Sequence, residues 1–390
     1  MTTTANRWSN TKKAGVVFLA IFLIFQLIPI DWLTNLFGKN ILQIEGFQKI
    51  KMTGSGDTTF DYVALLLIFI IGTISFITTY FLEIKQSIAE NIYAYTEVYM
   101  RYFLGIMLIA YGLAKLTESG QFPEPGFGRL NQTYGESSPM GLVWAFMGSS
   151  RAYTIFAGFF EIIPGLLLLF RKTKLIGALM AITVMLNIVL LNFCYDIPVK
   201  LFSSLLLIIA IIIAYPNIKI IACFLMGDVT AKLKKSKEII LPKKWMKISS
   251  RVLQIILILA MPIANIIETY MYPLGEESDL SGLYTNMSES SSNSIKWDKL
   301  IIDEKFEYAS IETGEKKEGF NLKVESDNLI TLTSYKDSTN ILKLKYLTLR
   351  KNIVNIKSGN LSGDFSKKTK SDYLLLNRGF HWINEQAFNR

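Results

Sequence analysis

Seven long apolar runs occupy the first 270 residues of the chain, and polar or turn-rich sequence separates them. An α-helix rises ~1.5 Å per residue, so about 20 apolar residues cross the ~30 Å hydrocarbon core of a bilayer. The pattern therefore predicts a polytopic α-helical membrane protein with about seven transmembrane helices. The predicted helices are residues 14–30, 62–82, 98–115, 152–170, 175–193, 201–215 and 252–270.

After Tyr270 the pattern changes to short segments rich in β-branched residues. In residues 341–349, apolar side chains alternate with lysines, which is the period of a strand with one buried face. Turn-forming residues such as 313–314 and 358–360 recur at nearly regular spacing, whereas the serine-rich residues 288–294 are predicted to form a flexible loop. We expect an antiparallel β-meander of about six to eight strands, curled or closed like a barrel so that few strand edges stay open.

The composition agrees with a membrane protein, because 51% of the residues are hydrophobic and only 19% are charged. The formal charge of +9 would suit nucleic acid if it formed one basic surface. From Met271 onward, however, basic and acidic residues nearly cancel, and the excess lies beside the apolar runs. Basic residues placed there contact anionic lipid headgroups, so we expect a lipid bilayer and no nucleic acid as partner. This basic group comprises Lys232, Lys234, Lys235, Lys237, Lys243, Lys244, Lys247 and Arg251.

Basic residues in the short loops also predict the orientation of the chain. They form three groups, one before the first predicted helix, one after the fourth and one after the sixth. An even number of crossings separates all three groups, so all are assigned to the cytoplasmic side. The prediction is an inner-membrane protein with a cytoplasmic N-terminus and a periplasmic C-terminal β domain. The groups are Arg7, Lys12 and Lys13; Arg171, Lys172 and Lys174; and residues 219–251.

Cysteine and histidine are scarce in this chain. The two cysteines, Cys194 and Cys223, lie at opposite ends of membrane segments and cannot form a disulfide framework. The single histidine, His381, lies in the polar tail. It cannot supply a pair of axial ligands to an intramembrane haem, nor a histidine-rich metal site. We therefore expect no haem and no metal; no cofactor is identifiable, and a quinone is compatible with the chain.

These features divide the chain into four predicted parts. Residues 1–95 hold the first two membrane helices and an outer loop, and residues 96–216 hold a core of four helices. Residues 217–270 form a basic cytoplasmic loop and the last helix, and residues 271–390 form the extracytoplasmic β domain.

Two stretches resemble the DoxX-like family of small four-helix membrane proteins: RYFLGIMLIAYGLAKL (residues 101–116) and FFEIIPGLLLLF (residues 159–170). The family pattern has an arginine that opens one helix, a Gly-x-x-Lys at its far end, and a glutamate followed by a small-residue turn. The resemblance covers roughly a third of the chain and implies a DoxX-like core in residues 96–216. The matching positions are Arg101, Gly112, Lys115, Glu161 and Gly165, with Pro164 where glycine is more usual.

Three further stretches look like a longer subset of that family: SSPMGLVWAFMGSSRAYTIFAGFFE, LNFCYDIPVK and the terminal RGFHWINEQAFNR. This second resemblance implies an extended architecture, in which helices and an outer β domain are added to the DoxX-like core. Some members of the family act beside thiol or sulfur oxidation that feeds electrons to quinones. The resemblance therefore implies a loose connection to quinone.

Glu161 is the leading candidate for a functional residue, because it lies near the middle of the otherwise almost wholly apolar residues 152–170. A carboxylate at that depth costs at least ~2.5 kcal/mol and usually faces the bundle interior at a site. Arg101 and Lys115, about 21 Å apart along one helix at ~1.5 Å per residue, each have a side chain long enough to approach it. The carboxylate is then a headgroup-binding or proton-accepting group, half of a packing ion pair, or a protonated side chain facing lipid. Asn187 joins this core site, or serves interhelical packing.

The outer rim is a second candidate site, because its loops are long and turn-rich, as binding loops often are. A solvated charged rim is the alternative. Cys194 would be redox-active if a neighbouring cation favoured its thiolate, but no second outer cysteine completes a dithiol. The candidates are Gln121, Arg151, Asn192, Cys194, Asp196 and Lys200, with Glu124 and Arg129 in the same loops.

Two classes of function are consistent with these features. The favoured one is a non-enzymatic membrane module that binds a lipid, a quinone or a partner subunit. The alternative is a redox accessory that passes reducing equivalents from thiol or sulfur compounds to quinone. The missing histidines and cysteine pairs disfavour any version with a built-in cofactor.

Overall fold

The structure is a computed structural model, and it describes residues 7–49, 56–118, 120–227, 243–271, 278–287, 294–326 and 328–379. Helices occupy most of the first part of the chain, and strands occupy most of the last part. The helices are α1 (Asn10–Phe25), α2 (Asp31–Leu36), α3 (Thr59–Leu82), α4 (Gln86–Leu116), α5 (Phe127–Leu130), α6 (Pro139–Gly148), α7 (Arg151–Leu169), α8 (Lys174–Cys194), α9 (Lys200–Leu225), α10 (Lys244–Met271) and α11 (Leu374–Asn377).

The chain divides into two compact units. The first, which we call the helical unit, comprises Met1–Ala114 and Phe156–Ile266. The second, which we call the barrel unit, comprises Lys115–Ile155 and Ile267–Arg390. Residues 115–155 interrupt the predicted four-helix core in sequence, and they cluster with the strands.

Five of the described helices are long and apolar enough to cross a membrane, judged by length and composition. They are α3, α4, α7, α8 and α9, and the mean hydropathy of their most apolar windows ranges from 1.2 to 2.4. Helix α1 has 16 residues, which is about 24 Å at ~1.5 Å per residue and shorter than the ~30 Å core. The structure supports a polytopic helical membrane protein, and the count of seven spans stays a prediction.

Four helices differ from their predicted boundaries by four residues or more. Helix α1 covers Asn10–Phe25 rather than residues 14–30. Helix α4 begins at Gln86 rather than at residue 98, because its first turns hold good helix formers that are too polar to register as an apolar run. Helix α9 continues past residue 215 to Leu225, with Pro216 inside it. Helix α10 begins at Lys244 rather than at residue 252.

Among the described residues, the largest apolar cluster of the helical unit is formed by α1, α4, α7, α8 and α9, and two smaller clusters lie around α3. Small residues allow these helices to approach each other closely, as is usual in membrane bundles. Ala178 and Ala181 on α8 and Ala210 on α9 are all fully buried in the largest cluster. The larger members are Leu23, Met100, Leu104, Leu108, Leu168, Met185, Leu206, Ile209 and Ile213.

Asp57, which lies just before α3, contacts the start of α9. Its carboxylate accepts hydrogen bonds from the backbone N–H groups of Lys200 (2.7 Å) and Leu201 (2.9 Å). The first N–H groups of a helix have no intrahelical partner, so a carboxylate there satisfies them and also interacts favourably with the helix dipole. Asp57 therefore acts as a remote N-terminal cap.

Substituting Asp57 with alanine is expected to lower the free energy of unfolding by about 1–2 kcal/mol, the usual effect of losing a helix cap. Asp31 is the matched control, because it forms an exposed pair with Lys49, and such pairs contribute about 0–1 kcal/mol. Thermal unfolding in detergent measures both variants. Equal losses of stability in Asp57→Ala and Asp31→Ala would contradict the capping role.

Eight described strands form a closed antiparallel barrel in chain order, because β8 also pairs with β1. The predicted closed meander of six to eight strands is therefore confirmed. Closure leaves no open strand edge. The strands are β1 (Gly282–Asn286), β2 (Lys299–Asp303), β3 (Tyr308–Thr313), β4 (Lys316–Ser326), β5 (Leu329–Ser334), β6 (Ile341–Arg350), β7 (Ile353–Ser358) and β8 (Leu361–Lys368).

The predicted turns lie between these strands. Gly314 (φ +57°) and Gly359 (φ +58°) adopt the left-handed conformation, which glycine accepts without steric cost, between β3 and β4 and between β7 and β8. Residues 288–293 of the predicted serine-rich loop lie outside the described residues, and so does His381.

The barrel buries side chains on both faces of its first two strands. The interior is filled by apolar residues such as Tyr284, Leu300 and Phe365. On the outer face, Leu283 and Ile301 are 6% and 0% exposed and form a second cluster around Phe127 of α5. Residues 115–155 therefore pack on part of the outer face of the barrel.

Candidate functional site

Helices α4 and α7 pack antiparallel through two pairs of glycines. A Cβ added to Gly105 would lie 2.9 Å from the carbonyl oxygen of Gly165, and one added to Gly112 would lie 2.6 Å from that of Gly158. Each pair is seven residues from the next on its own helix, so the contacts repeat every two turns. This spacing brings the two backbones together over the middle of both helices.

Glu161 lies on α7 between the two glycines of that helix and is 2% exposed. Thr154 and Leu168, one heptad away on either side, are 1% and 0% exposed, so all three share the buried face of α7. This burial excludes the lipid-facing alternative for Glu161. Its charge also acts electrostatically on the hydroxyl of Tyr111, a residue of α4. The carboxylate therefore faces the interior of the bundle, as expected for an ionisable group in a membrane helix.

Arg101 contacts the end of α7 rather than Glu161. Its Nε donates a hydrogen bond to the carbonyl oxygen of Leu168 (3.0 Å), and its Nη2 donates one to that of Leu169 (2.9 Å). The last carbonyls of a helix lack intrahelical partners and attract a cation. Arg101 is therefore a C-terminal cap of α7, and the described contacts give it a structural role.

A buried ion pair lies near Arg101, between the Glu97 carboxylate on α4 and the Lys174 ammonium at the start of α8. Glu97 is 6% exposed and Lys174 is 9% exposed. The sequence did not predict this pair, because Glu97 lies one residue before the predicted helix 98–115. If the helix is extended toward its N-terminus, Glu97 lies four residues before Arg101 and therefore on the same buried face.

Lys115 and Arg151 lie in the barrel unit, where Arg151 caps the end of α4. Its guanidinium donates hydrogen bonds to the carbonyl oxygens of Lys115 (3.2 Å), Thr117 (3.3 Å) and Leu116. The Nζ of Lys115 lies 5.6 Å from the centroid of the Phe122 ring, within the range of a cation–π contact. Arg151 thus caps the C-terminal end of α4, as Arg101 caps that of α7.

The predicted rim residues of the helical unit are engaged in local contacts. Asn192 donates a buried hydrogen bond to Ser203 (2.9 Å), and Lys200 donates one to Asp196 (2.7 Å). Cys194 is exposed and unbridged. Asn187, the candidate for the membrane core, is exposed on the surface of α8, so the structure does not bring it to Glu161.

The other predicted rim residues, together with Glu124 and Arg129, belong to the barrel unit. The side-chain oxygen of Gln121 is buried and has no hydrogen-bond partner among the described residues. Glu124 pairs with Lys370 at 2.8 Å. Arg129 is half-buried and lines a pocket of about 400 Å³ next to the start of α6.

Residues 123–131 are fastened to the barrel by hydrogen bonds. The Asp303 carboxylate, 2% exposed at the end of β2, accepts the backbone N–H of Phe127 at 2.7 Å. The Tyr373 hydroxyl donates a hydrogen bond to Asn131 at 2.9 Å, and burial raises the pKa of this hydroxyl. These contacts hold the pocket-lining segment in place, and sequence spacing carried no signal for either of them.

No group of three or more histidine, cysteine, aspartate or glutamate side chains within the described part of the chain is arranged to hold a metal ion. Two features of the described residues are candidate sites: the buried carboxylate of Glu161 in the helical unit and the pocket beside α6 in the barrel unit.

Comparison with known proteins finds one similar sequence. Over 117 residues the chain is 35% identical to the uncharacterized protein YwoB of Bacillus subtilis (strain 168), in an alignment that covers 30% of the chain and 72% of YwoB. No family model matches the chain, and no solved structure matches it.

Proposed function

We propose that this chain, which belongs to the same family as YwoB of Bacillus subtilis, is a non-enzymatic membrane module that binds a lipid or quinone headgroup at Glu161. The observation that carries the proposal is the burial of this carboxylate, 2% exposed, on the helix face that packs against α4. A buried carboxylate in a membrane helix is costly, and it persists where it serves a ligand or a partner group.

Two features around Glu161 support the proposal. Arg101, one of the two cations expected to pair with Glu161, instead caps the end of α7. Pro164 lacks a backbone N–H, so the carbonyl of Phe160 beside Glu161 loses its usual helical partner. A carboxylate and an extra carbonyl acceptor on consecutive residues of one helix would suit a ligand that donates hydrogen bonds, such as a hydroxylated headgroup or a quinol.

The membrane arrangement belongs to the same proposal. The core of α4, α7, α8 and α9 corresponds to the DoxX-like helices, and the chain lies in the inner membrane. The N-terminus faces the cytoplasm and the barrel lies outside it, because the basic residues cluster at the ends of alternate helices. Labelling an engineered cysteine at Ser292 in intact cells tests this orientation, and protection from an impermeant reagent would contradict it.

Co-purification tests the ligand. Wild-type protein extracted in mild detergent is expected to retain lipid or quinone, and Glu161→Gln is expected to retain about tenfold less, the effect of ~1.4 kcal/mol. Mass spectrometry of the extracted ligands measures both. Glu45→Gln is the matched control, because Glu45 is an exposed carboxylate of the same unit.

The outcomes distinguish the alternatives. Quinone retained by wild type and lost from Glu161→Gln would support the quinone form of the proposal and keep the redox accessory open, with the exposed Cys194 as its candidate thiol. Loss of lipid alone would support the lipid form. A ligand-free wild-type protein whose melting temperature alone falls in Glu161→Gln would overturn the proposal.

A further inference from the structure

We propose that the pocket beside α5 and α6 in the barrel unit binds an apolar carboxylate, with Arg129 as the group that recognises the charge. The pocket has a volume of about 400 Å³. Pockets for small molecules range from ~300 to ~1,000 Å³, so this one has room for one or two rings or a short acyl chain.

The walls of the pocket are largely apolar. They include Pro123 and Pro125, Met140 and Trp144 of α6, and Phe306 of the barrel. Phe306 is 37% exposed, and Trp144 packs edge-on against Phe122 with the ring centroids 5.1 Å apart. An apolar ligand would cover aromatic surface that otherwise faces water.

The guanidinium of Arg129 carries the positive charge at the pocket and has one hydrogen-bond donor without an acceptor in the described part of the chain. Its Nη1 donates a hydrogen bond to Gln132, whereas its Nη2 is shielded from solvent and has no hydrogen-bond partner among the residues that the structure describes. A buried donor without an acceptor is unfavourable, and more so when it is charged. A ligand that places an acceptor oxygen near Nη2 would satisfy it.

The position of the guanidinium depends on Gly141. A Cβ at that residue would lie 2.7 Å from Nη2, 2.8 Å from Nη1 and 2.9 Å from Cζ, so the flat guanidinium lies against the glycine backbone. A planar guanidinium binds a carboxylate through two parallel hydrogen bonds, which a lysine cannot do. The acidic residue at the pocket, Glu124, is already paired with Lys370 at 2.8 Å, so the charge of Arg129 is left to attract an anion.

The test uses the full-length protein in nanodiscs, with empty nanodiscs as the blank for partitioning. Naphthoate, an aromatic carboxylate, and naphthalenemethanol, its neutral analogue, are titrated by calorimetry. We expect saturable binding of naphthoate and an affinity about tenfold or more lower in Arg129→Met, equivalent to ~1.4 kcal/mol or more. The affinity for naphthalenemethanol should be the same in both proteins, because the apolar walls are unchanged.

Arg350→Met is the matched control, since Arg350 is an exposed arginine of the barrel, and it should bind naphthoate like wild type. If Arg129→Met does not fold, Gly141→Ala serves instead, because the added Cβ displaces the guanidinium while alanine suits the helix. Equal naphthoate affinity in wild type and in the folded variant would overturn the proposal, and so would the absence of saturable binding to wild type. Glu161→Gln should bind naphthoate normally, which separates this site from the one in the helical unit.

Discussion

Substituting Gly112 with alanine is expected to lower the free energy of unfolding of the helical unit by about 1–3 kcal/mol, and substitution with leucine by more. The added Cβ would lie 2.6 Å from both the carbonyl oxygen of Gly158 and the Cγ1 of Ile162. The first of these atoms belongs to the backbone and cannot move away without separating α4 from α7. Thermal unfolding followed by circular dichroism in detergent measures the effect.

Gly15 of α1 provides the matched control, because a Cβ added there meets nothing within 4 Å. In a helix interior alanine is favoured over glycine by roughly 0.5–1 kcal/mol, so Gly15→Ala should be neutral or slightly stabilising. If Gly112→Ala were as stable as Gly15→Ala, the close approach of α4 and α7 would not exist. Glu161 would then lack the close contact between α4 and α7 that buries it.

Replacing Lys174 with methionine is expected to cost about 3–5 kcal/mol, because it leaves the buried Glu97 carboxylate without its cation. Replacing both residues with methionine should restore part of that loss, since the buried carboxylate is then removed together with the ammonium that it contacts. Lys172 is the control: it is exposed two residues earlier in the chain, and Lys172→Met should change the stability little. A double variant no more stable than Lys174→Met alone would contradict a direct pairing.

The coarse architecture could be predicted because its signals are local. Apolar runs of bilayer length mark helices, and the alternation in residues 341–349 marks a strand whose Leu344 points into the barrel while Lys343 and Lys345 point out. Each of these patterns is repeated within a few residues of sequence, so no knowledge of distant contacts was needed.

For the candidate sites, the sequence identified the unusual residue but not its contacts. Glu161 stood out in the sequence, since a lone carboxylate in an apolar run is unusual wherever it faces. The contacts of Arg101 could not be predicted. Its guanidinium could reach either the Glu161 carboxylate or the last carbonyl groups of α7, and sequence spacing does not show that it binds the carbonyl groups. The sequence did not reveal that Asn187 lies on an exposed face of α8, since an exposed amide looks the same in sequence as a buried one.

The sequence alone predicts a bundle of apolar helices, a barrel of alternating strands and one costly carboxylate within the bundle. The tertiary structure alone decided that residues 115–155 pack on the barrel, that Glu97 pairs with Lys174, and that Arg129 lines a pocket. The physical reason is that periodicity records which face of an element is buried. The partner that buries this face is chosen by contacts between residues far apart in the chain, such as Phe127 and Asp303.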